Sequence, residues 1–248
     1  MLTSDLIPHL DAYLEIARYD DRSNNGLQVQ GAARIERIAF AVDACAASID
    51  AAAHAGAQML IVHHGLFWSE HLQITDVHYK RVRALLDSGL NLYAAHIPLD
   101  AHAEVGNNIQ LARMAGLSDI APWGRHRKDT IGFIGNLPQP TDLQALRRRL
   151  ERRIGKASLV QGHGEVRRVA VCSGFGVPLM YEAIAAGADA LITGETSHQW
   201  FHAVAEHSLK VIYGGHYNTE TVGLKALAQH IAEKFAIETH FVDLPTDL

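Results

Sequence analysis

The chain of 248 residues lacks several features that would assign it to whole classes of protein. It has only two cysteines, Cys45 and Cys172, each inside an apolar segment, which argues against a secreted disulfide framework and favours a reducing compartment. No stretch reaches the ~18 consecutive apolar residues of a membrane span, and the first residues lack the basic and apolar regions of a signal peptide. We therefore expect a cytoplasmic protein with no membrane partner.

An excess of positive charge is also missing. The formal net charge is −5, whereas phosphate binding normally leaves a basic face, so a nucleic-acid partner is not expected. The one local excess is an arginine-rich segment at residues 147–153, which we interpret as a solvated helix face or a subunit contact. Nucleic-acid binding would require these arginines to line a basic channel. The phosphate-binding pattern Gly-x-x-x-x-Gly-Lys does not occur either.

Histidine, in contrast, is abundant, with 16 in the chain. Several of them, such as His54 and His240, lie in helical or loop contexts where a surface or structural role is expected. The informative histidines are those that follow predicted strands.

Strands and helices alternate along the chain. With 48% hydrophobic and 20% charged residues, the composition is typical of a globular protein with one large or two small domains. The alternation predicts an α/β fold with mostly parallel sheets flanked by helices. The first half is predicted to contain strands at 35–42, 59–62 and 90–95 and helices at 3–18, 44–55 and 79–88; the second half, strands at 166–172, 190–193 and 210–213 and helices at 178–186 and 199–207.

The two halves resemble each other at the level of residues. Residues 54–64 align with 185–195, and 93–100 align with 213–220, so that each half carries a His-x-x-x-acid pattern after a strand. We infer an internal duplication, with a first half at 1–123, a connector at 124–165 and a second half at 166–248. The connector is predicted to contain a short strand near 130–135 and a helix at 141–154. The alternative is chance similarity between two unrelated β-α-β units.

Potential ligands gather at four predicted strand ends. In α/β folds with parallel strands, ligands bind at the carboxyl edge of the sheet. Five of these side chains form a set without a thiolate, which suits zinc, iron, manganese or nickel and exceeds what one open catalytic zinc uses. Two ions could activate water and polarise a substrate oxygen, which favours hydrolysis. The predicted metal ligands are His63, His64, Asp100, His216 and Glu220, and Glu195 and His96 are predicted catalytic residues. Unrelated surface histidines and helix caps are the alternative interpretation.

An ordered set of motifs resembles the GTP cyclohydrolase I type 2 family, also called the Ngg-interacting-factor-three-like proteins. The resemblance covers essentially the whole chain and matches the short bacterial form. The motifs that carry it are Asn25-Gly-Leu-Gln28, Ile61-Val-His-His-Gly65, His96-Ile-Pro-Leu-Asp100, Gly106-Asn-Asn108, Thr193-Gly-Glu195 and Gly215-His-Tyr-Asn-Thr-Glu220.

The resemblance implies two α/β lobes, two divalent metal ions per subunit in the cleft between the lobes, and a ring-shaped homohexamer. It implies the same five ligands and does not count His96 among them. Longer members carry an inserted domain, for which the connector at 124–165 is too short. Where many members have Gly-Asp, this chain has Gly194-Glu195, which keeps an acid.

Several functions agree with these features. The first is a metal-dependent hydrolase acting on a small molecule, with GTP ring opening as the activity that the resemblance implies. Glu195 and His96 would shuttle protons in that reaction. A dimetal phosphoesterase or amidohydrolase with another substrate uses the same ions. A metal-binding regulatory or chaperone protein, in which the ions are cargo or structural, is the alternative from another class.

Overall fold

The computed structural model describes residues 1–157 and 159–246, and these residues form two compact units. Unit 1 comprises Met1–Leu99 and Leu224–Leu244, and unit 2 comprises Asp100–Gly223 and the tail that begins at Pro245. These bounds differ from the halves and the connector that we predicted. The C-terminal strand pairs within the sheet of unit 1, and the strands of the connector pair within the sheet of unit 2, which explains the difference.

Strands and helices alternate through most of the chain. The strands are β1 (Gly26–Val29), β2 (Arg37–Asp43), β3 (Met59–His64), β4 (Asn91–Ala94), β5 (Ser118–His126), β6 (Asp129–Asp142), β7 (Leu159–Gln161), β8 (Glu165–Val171), β9 (Ala190–Thr193), β10 (Lys210–Tyr213) and β11 (Glu238–Phe241). The helices are α1 (Thr3–Tyr13), α2 (Ala46–His54), α3 (Asp76–Asp87), α4 (Ile97–Ala101), α5 (Asn107–Ala115), α6 (Leu143–Ile154), α7 (Met180–Ala185), α8 (His198–Glu206) and α9 (His216–Phe235). None of the helices in the described part of the chain is both long and apolar enough to cross a bilayer.

The sheet of unit 1 has five strands in the order β1-β4-β3-β2-β11. Strands β11, β2, β3 and β4 are parallel, and β1 joins the edge antiparallel to β4. Every residue of β3 except His64 is buried, as expected for a central parallel strand that is covered on both faces. We predicted that β3 would end at residue 62, but it continues through His64, because Asp43 at the end of β2 pairs with His64.

The sheet of unit 2 has six strands in the order β5-β6-β8-β9-β10-β7. Strands β8, β9 and β10 are parallel, whereas β5, β6 and β7 pair antiparallel with their neighbours. The short strand predicted in the connector is part of the 14-residue strand β6. Helix α6 buries Leu143, Leu146 and Leu150 in the same core as residues of β8 and β9, so the connector is built into this unit.

The same arrangement occurs in both units. Three parallel strands alternate with helices, as β2-α2-β3-α3-β4 in unit 1 and as β8-α7-β9-α8-β10 in unit 2. The third strand of each set also pairs with an antiparallel edge strand, β1 or β7. The predicted α/β class with two similar, helix-flanked lobes is confirmed.

Helix α1 is shorter than predicted. It ends at Tyr13, and Glu15 adopts a left-handed φ of 52°, followed by one 3-10 turn at Ile16–Arg18. A non-glycine residue in this conformation interrupts α-helical hydrogen bonding, so the predicted helix at 3–18 is divided at this point.

Candidate metal centre

Strand β3 ends with two neighbouring imidazoles in unit 1. His63 is fully buried and its Nδ1 lies 3.0 Å from the carbonyl oxygen of Ala95. The Nδ1 of His64 lies 2.8 Å from Oδ1 of Asp43. Both partners accept hydrogen bonds, so the proton of each neutral ring is held on Nδ1 and the lone pair on Nε2. This tautomer is the one that a histidine needs to bind a metal through Nε2.

His96 completes a group of three imidazoles in unit 1. Its ring centroid is 5.0 Å from that of His63 and 5.7 Å from that of His64. One ring nitrogen from each of the three lies within 4.8 Å of the others. The rings of Trp68 and His96 pack in a T-shaped arrangement, with 5.1 Å between the centroids. The structure thus brings together both predicted ligands of this unit and one predicted catalytic residue.

Asp21 orients His96 and was missed from the sequence. Its carboxylate oxygens lie 3.0 and 3.1 Å from Nδ1 of His96. Burial acts to raise the pKa of Asp21, but hydrogen bonds from His96 and Asn25 and the charge of His96 outweigh it and hold the pKa below its usual value. Asp21 therefore remains an acceptor for the ring proton.

The Asn25-Gly-Leu-Gln28 motif holds two loops of this site. Asn25 accepts a hydrogen bond of 2.8 Å from the backbone N–H of His96 and donates one of 2.9 Å to Asp21. Gln28 accepts a hydrogen bond of 2.8 Å from the backbone N–H of Leu66, just beyond the end of β3. The motif was visible in the sequence, but its role depends on partners far along the chain.

In unit 2, Asp100 is buried and held by two donors. The side-chain amide of Asn107 donates a hydrogen bond of 2.9 Å to its Oδ1, and the hydroxyl of Ser173 donates one of 2.8 Å to the same atom. Asn108, beside Asn107, in turn accepts a hydrogen bond of 2.6 Å from the backbone N–H of Ser173. These contacts connect the Gly106-Asn-Asn108 motif to the orientation of Asp100.

Helix α9 begins with two predicted ligands on one face. His216 and Glu220 are four residues apart, and Nε2 of His216 lies 3.1 Å from Oε1 of Glu220. Glu195, two residues after the end of β9, accepts a hydrogen bond of 2.9 Å from Nδ1 of His216. Burial acts to lower the pKa of His216, but Glu220 and Glu195 together raise it to about 10. Without a metal, a proton thus supplies the positive charge that the two carboxylates favour.

Gly174 connects these groups and was also missed. It follows Ser173 directly and has a φ of 56°, and a Cβ at this position would collide with Oε1 of Glu220 and lie 3.3 Å from Nε2 of His216. Its backbone N–H donates a hydrogen bond of 3.1 Å to Oγ1 of Thr219. Because only glycine fits here, the segment that follows β8 can lie against the start of α9.

The donor atoms fit a divalent ion bound by nitrogen and oxygen. The nearby Cys172 is buried, and burial, followed by the charges of Asp100 and Glu220, raises the pKa of its thiol. The raised pKa favours the protonated thiol, and Cys172 belongs to neither group of potential metal ligands found among the described residues. Imidazoles and carboxylates without a thiolate suit zinc, iron, manganese or nickel. The assignment of the five metal ligands and the two catalytic residues stays a prediction.

Comparison with known proteins agrees with the predicted resemblance. The family model Duf34/NIF3 (NGG1p interacting factor 3) matches residues 1–247. A protein of Deinococcus radiodurans named GTP cyclohydrolase 1 type 2 homolog is 47% identical over 98% of this chain and 94% of its own length. A protein of Pyrococcus abyssi with the same name is 44% identical over the full length of both chains.

A solved structure shows the same fold. The crystal structure of a Thermus thermophilus protein, TTHA1606, superposes with a TM-score of 0.93 and 42% sequence identity, covering 100% of both chains. Because the alignments cover the full length of this chain and of these relatives, they agree with the predicted short form of the family, which lacks an inserted domain. The chain therefore belongs to the DUF34/NIF3 family.

Proposed function

We propose that the protein binds two divalent metal ions and uses them to hydrolyse a small-molecule substrate. The observation that carries this proposal is the group of three imidazoles in unit 1, whose ligand atoms lie within 4.8 Å of one another. Each ring has its Nδ1 bound to a carbonyl or carboxylate oxygen. This arrangement is typical of histidines in metal sites, where the second nitrogen is oriented by an acceptor.

The proposed metal ligands are the five predicted from the sequence: His63, His64, Asp100, His216 and Glu220. Support comes from the hydrogen bonds that orient them, above all those from Ser173 and Asn107 to Asp100. When bound, divalent ions supply an activated water and polarise a substrate oxygen.

Two further residues are proposed to move protons. His96 has its Nδ1 bound to Asp21, so Nε2 is the atom that would accept a proton or, alternatively, bind an ion. Glu195 accepts a hydrogen bond from His216, which supports a role in orienting that ring as well as in proton transfer.

GTP is the first substrate to test, because the relatives from Deinococcus radiodurans and Pyrococcus abyssi are named GTP cyclohydrolase 1 type 2 homolog. A phosphate ester or an amide is the alternative substrate for the same ions. The proposal includes a cytoplasmic location and a homohexameric assembly, which rest on the composition and on the resemblance.

The test combines elemental analysis with substrate turnover. Purified wild-type protein should contain about two divalent ions per chain and consume at least one compound in a metabolite mixture that includes GTP. Asp100→Ala and His63→Ala should lose metal and turnover, because each removes a proposed ligand. The matched control is His54→Ala, since the His54 side chain is 77% exposed on α2 and pairs with Asp50 on the same helix.

The outcomes separate the parts of the proposal. A wild-type metal content near zero would overturn it. If GTP is untouched but a phosphate ester is consumed by wild type and not by Asp100→Ala, the hydrolase stands and GTP is not its substrate.

A further inference from the structure

A pocket of about 240 Å³ opens beside the three imidazoles of unit 1. The loop after β3 and one face of α3 form its walls, with Trp68, His71, His78 and Arg81 among the lining residues. Gly65, which directly follows His64, also lines it. The Trp68 ring lines the pocket and also lies near the histidines, with its centroid 6.3 Å from that of His64. The pocket is therefore next to the proposed metal ligands of unit 1.

Two nitrogen atoms of residues that line this pocket are buried and unpaired within the described part of the chain. His78 and Arg81 are three residues apart on α3 and share one face of the helix. Nδ1 of His78 and Nε of Arg81 are buried, and within residues 1–157 and 159–246 neither atom has a hydrogen-bond partner. Buried polar atoms are normally satisfied in native proteins, so two unpaired nitrogens on one helix face suit a ligand that can accept hydrogen bonds.

The acid that lines the pocket does not supply that partner. Glu70 forms its ion pair with Arg22. Arg83, only two residues after Arg81, is exposed and donates a hydrogen bond of 3.1 Å to Asp87 on the same helix. Helix α3 thus carries Arg83, which is paired on the surface, and Arg81, which lines the pocket and whose Nε has no acceptor among the described residues.

We propose that this pocket binds a phosphate group of the substrate, so that the protein acts on phosphorylated small molecules. The inference rests on the proposed function, since it assigns a substrate class to the same metal centre. A guanidinium group matches two phosphate oxygens, and His78 can donate to a third. Pockets for whole ligands measure roughly 300–1,000 Å³, so this smaller one suits a single phosphate group while the rest of the substrate extends past Trp68.

The test measures binding of inorganic phosphate to purified wild-type protein by calorimetry at constant ionic strength. Arg81→Gln should weaken phosphate binding about tenfold or more, since it removes a charge-assisted hydrogen bond. Arg83→Gln removes the same charge from the same helix outside the pocket and should leave phosphate binding unchanged. His78→Gln serves as a second pocket variant, and thermal unfolding of each variant checks that it is folded.

Two results would overturn the inference: no phosphate binding by wild type, or equal binding by wild type and Arg81→Gln. Phosphate binding that is lost in His64→Ala but kept in Arg81→Gln would place the phosphate on the metal and would equally overturn it. Elemental analysis of the same samples separates the two proposals. If the protein contains metal but its phosphate binding does not depend on Arg81, only the proposal about the pocket is refuted. If phosphate binding depends on Arg81 but the protein contains no metal, the pocket is supported and the metal centre is refuted.

Discussion

The hydroxyl of Ser173 and the side-chain amide of Asn107 donate to the same oxygen of Asp100, at 2.8 and 2.9 Å. Two donors on one oxygen determine how the carboxylate is turned. Asp100 is only 7% exposed, so these two donors act in a largely desolvated setting. Ser173 is thus a positioning residue for a proposed metal ligand.

Replacing Ser173 by alanine should weaken metal binding while leaving the protein folded. Loss of an orienting hydrogen bond typically lowers metal affinity ~10–100-fold. Leaving Asp100 with one fewer donor should also lower the free energy of unfolding by ~1–2 kcal/mol. Competition with a chelator measures the first effect and thermal unfolding the second. Ser118→Ala is the control, because its exposed hydroxyl donates only to a backbone carbonyl, that of Asn136. Equal metal affinity in the two variants would contradict the positioning role.

Removing Asp43 should affect metal binding through His64. The Asp43 carboxylate holds the ring proton of His64 on Nδ1, so Asp43→Ala frees the ring to rotate and to change tautomer. We expect metal affinity to fall by roughly tenfold or more. Asp50→Ala is a close control, since Asp50 contacts the exposed His54 in a similar aspartate–histidine pair. If both variants keep wild-type affinity, Asp43 does not orient a ligand.

A methyl group at Gly174 should disturb the ligands on α9. Gly174→Ala places Cβ against Glu220 and also strains a backbone with a φ of 56°. Gly187→Ala places alanine in a similarly strained left-handed backbone conformation, with a φ of 73°. Its Cβ, however, would have no atom within 4 Å. We expect both variants to lose stability, by ~1–2 kcal/mol for the backbone strain, and only Gly174→Ala to lose metal. Metal analysis and thermal unfolding of the pair separate the collision from the strain.

Removal of metal should lower the melting temperature of the wild-type protein. An ion that binds only the folded state contributes about 2.7 kcal/mol when its free concentration is 100 times the Kd. Dialysis against a chelator should therefore lower the melting temperature, and adding zinc or manganese back should restore it. His63→Ala should respond less than wild type. The rate of loss also discriminates between functions, because a cargo ion should leave readily whereas a catalytic ion should be retained.

The homohexamer stays a prediction that one measurement addresses. Sedimentation velocity of the purified protein should give the mass of six chains. A single-chain mass at micromolar concentration would contradict this assembly.

The strand ends of the candidate site were predictable because they follow from local pattern. The four-residue strands β9 and β10 are short apolar runs between turn signals, and their observed bounds match the prediction. Histidines and acids placed after such runs could therefore be selected as ligands before any contact was known.

The residues that orient the ligands could not be found in this way. Asp21, Asp43 and Ser173 contact partners that are 75, 21 and 73 residues away in the chain. The periodic spacing of apolar residues in the sequence predicts local helices and strands but not contacts between distant residues. The edge strands β1 and β7 were missed for a related reason: they have four and three residues, too few to show an alternating pattern, and they are held by neighbours in the sheet.

The bonds from the imidazole Nδ1 atoms in unit 1 have a thermodynamic consequence. The conformational entropy of these side chains is lost when the protein folds, so little remains to be lost when an ion arrives. Capture of an ion should then proceed with a small entropic penalty and little rearrangement of the surrounding chain. The imidazoles of unit 1 therefore form a pre-organised receptor for an ion.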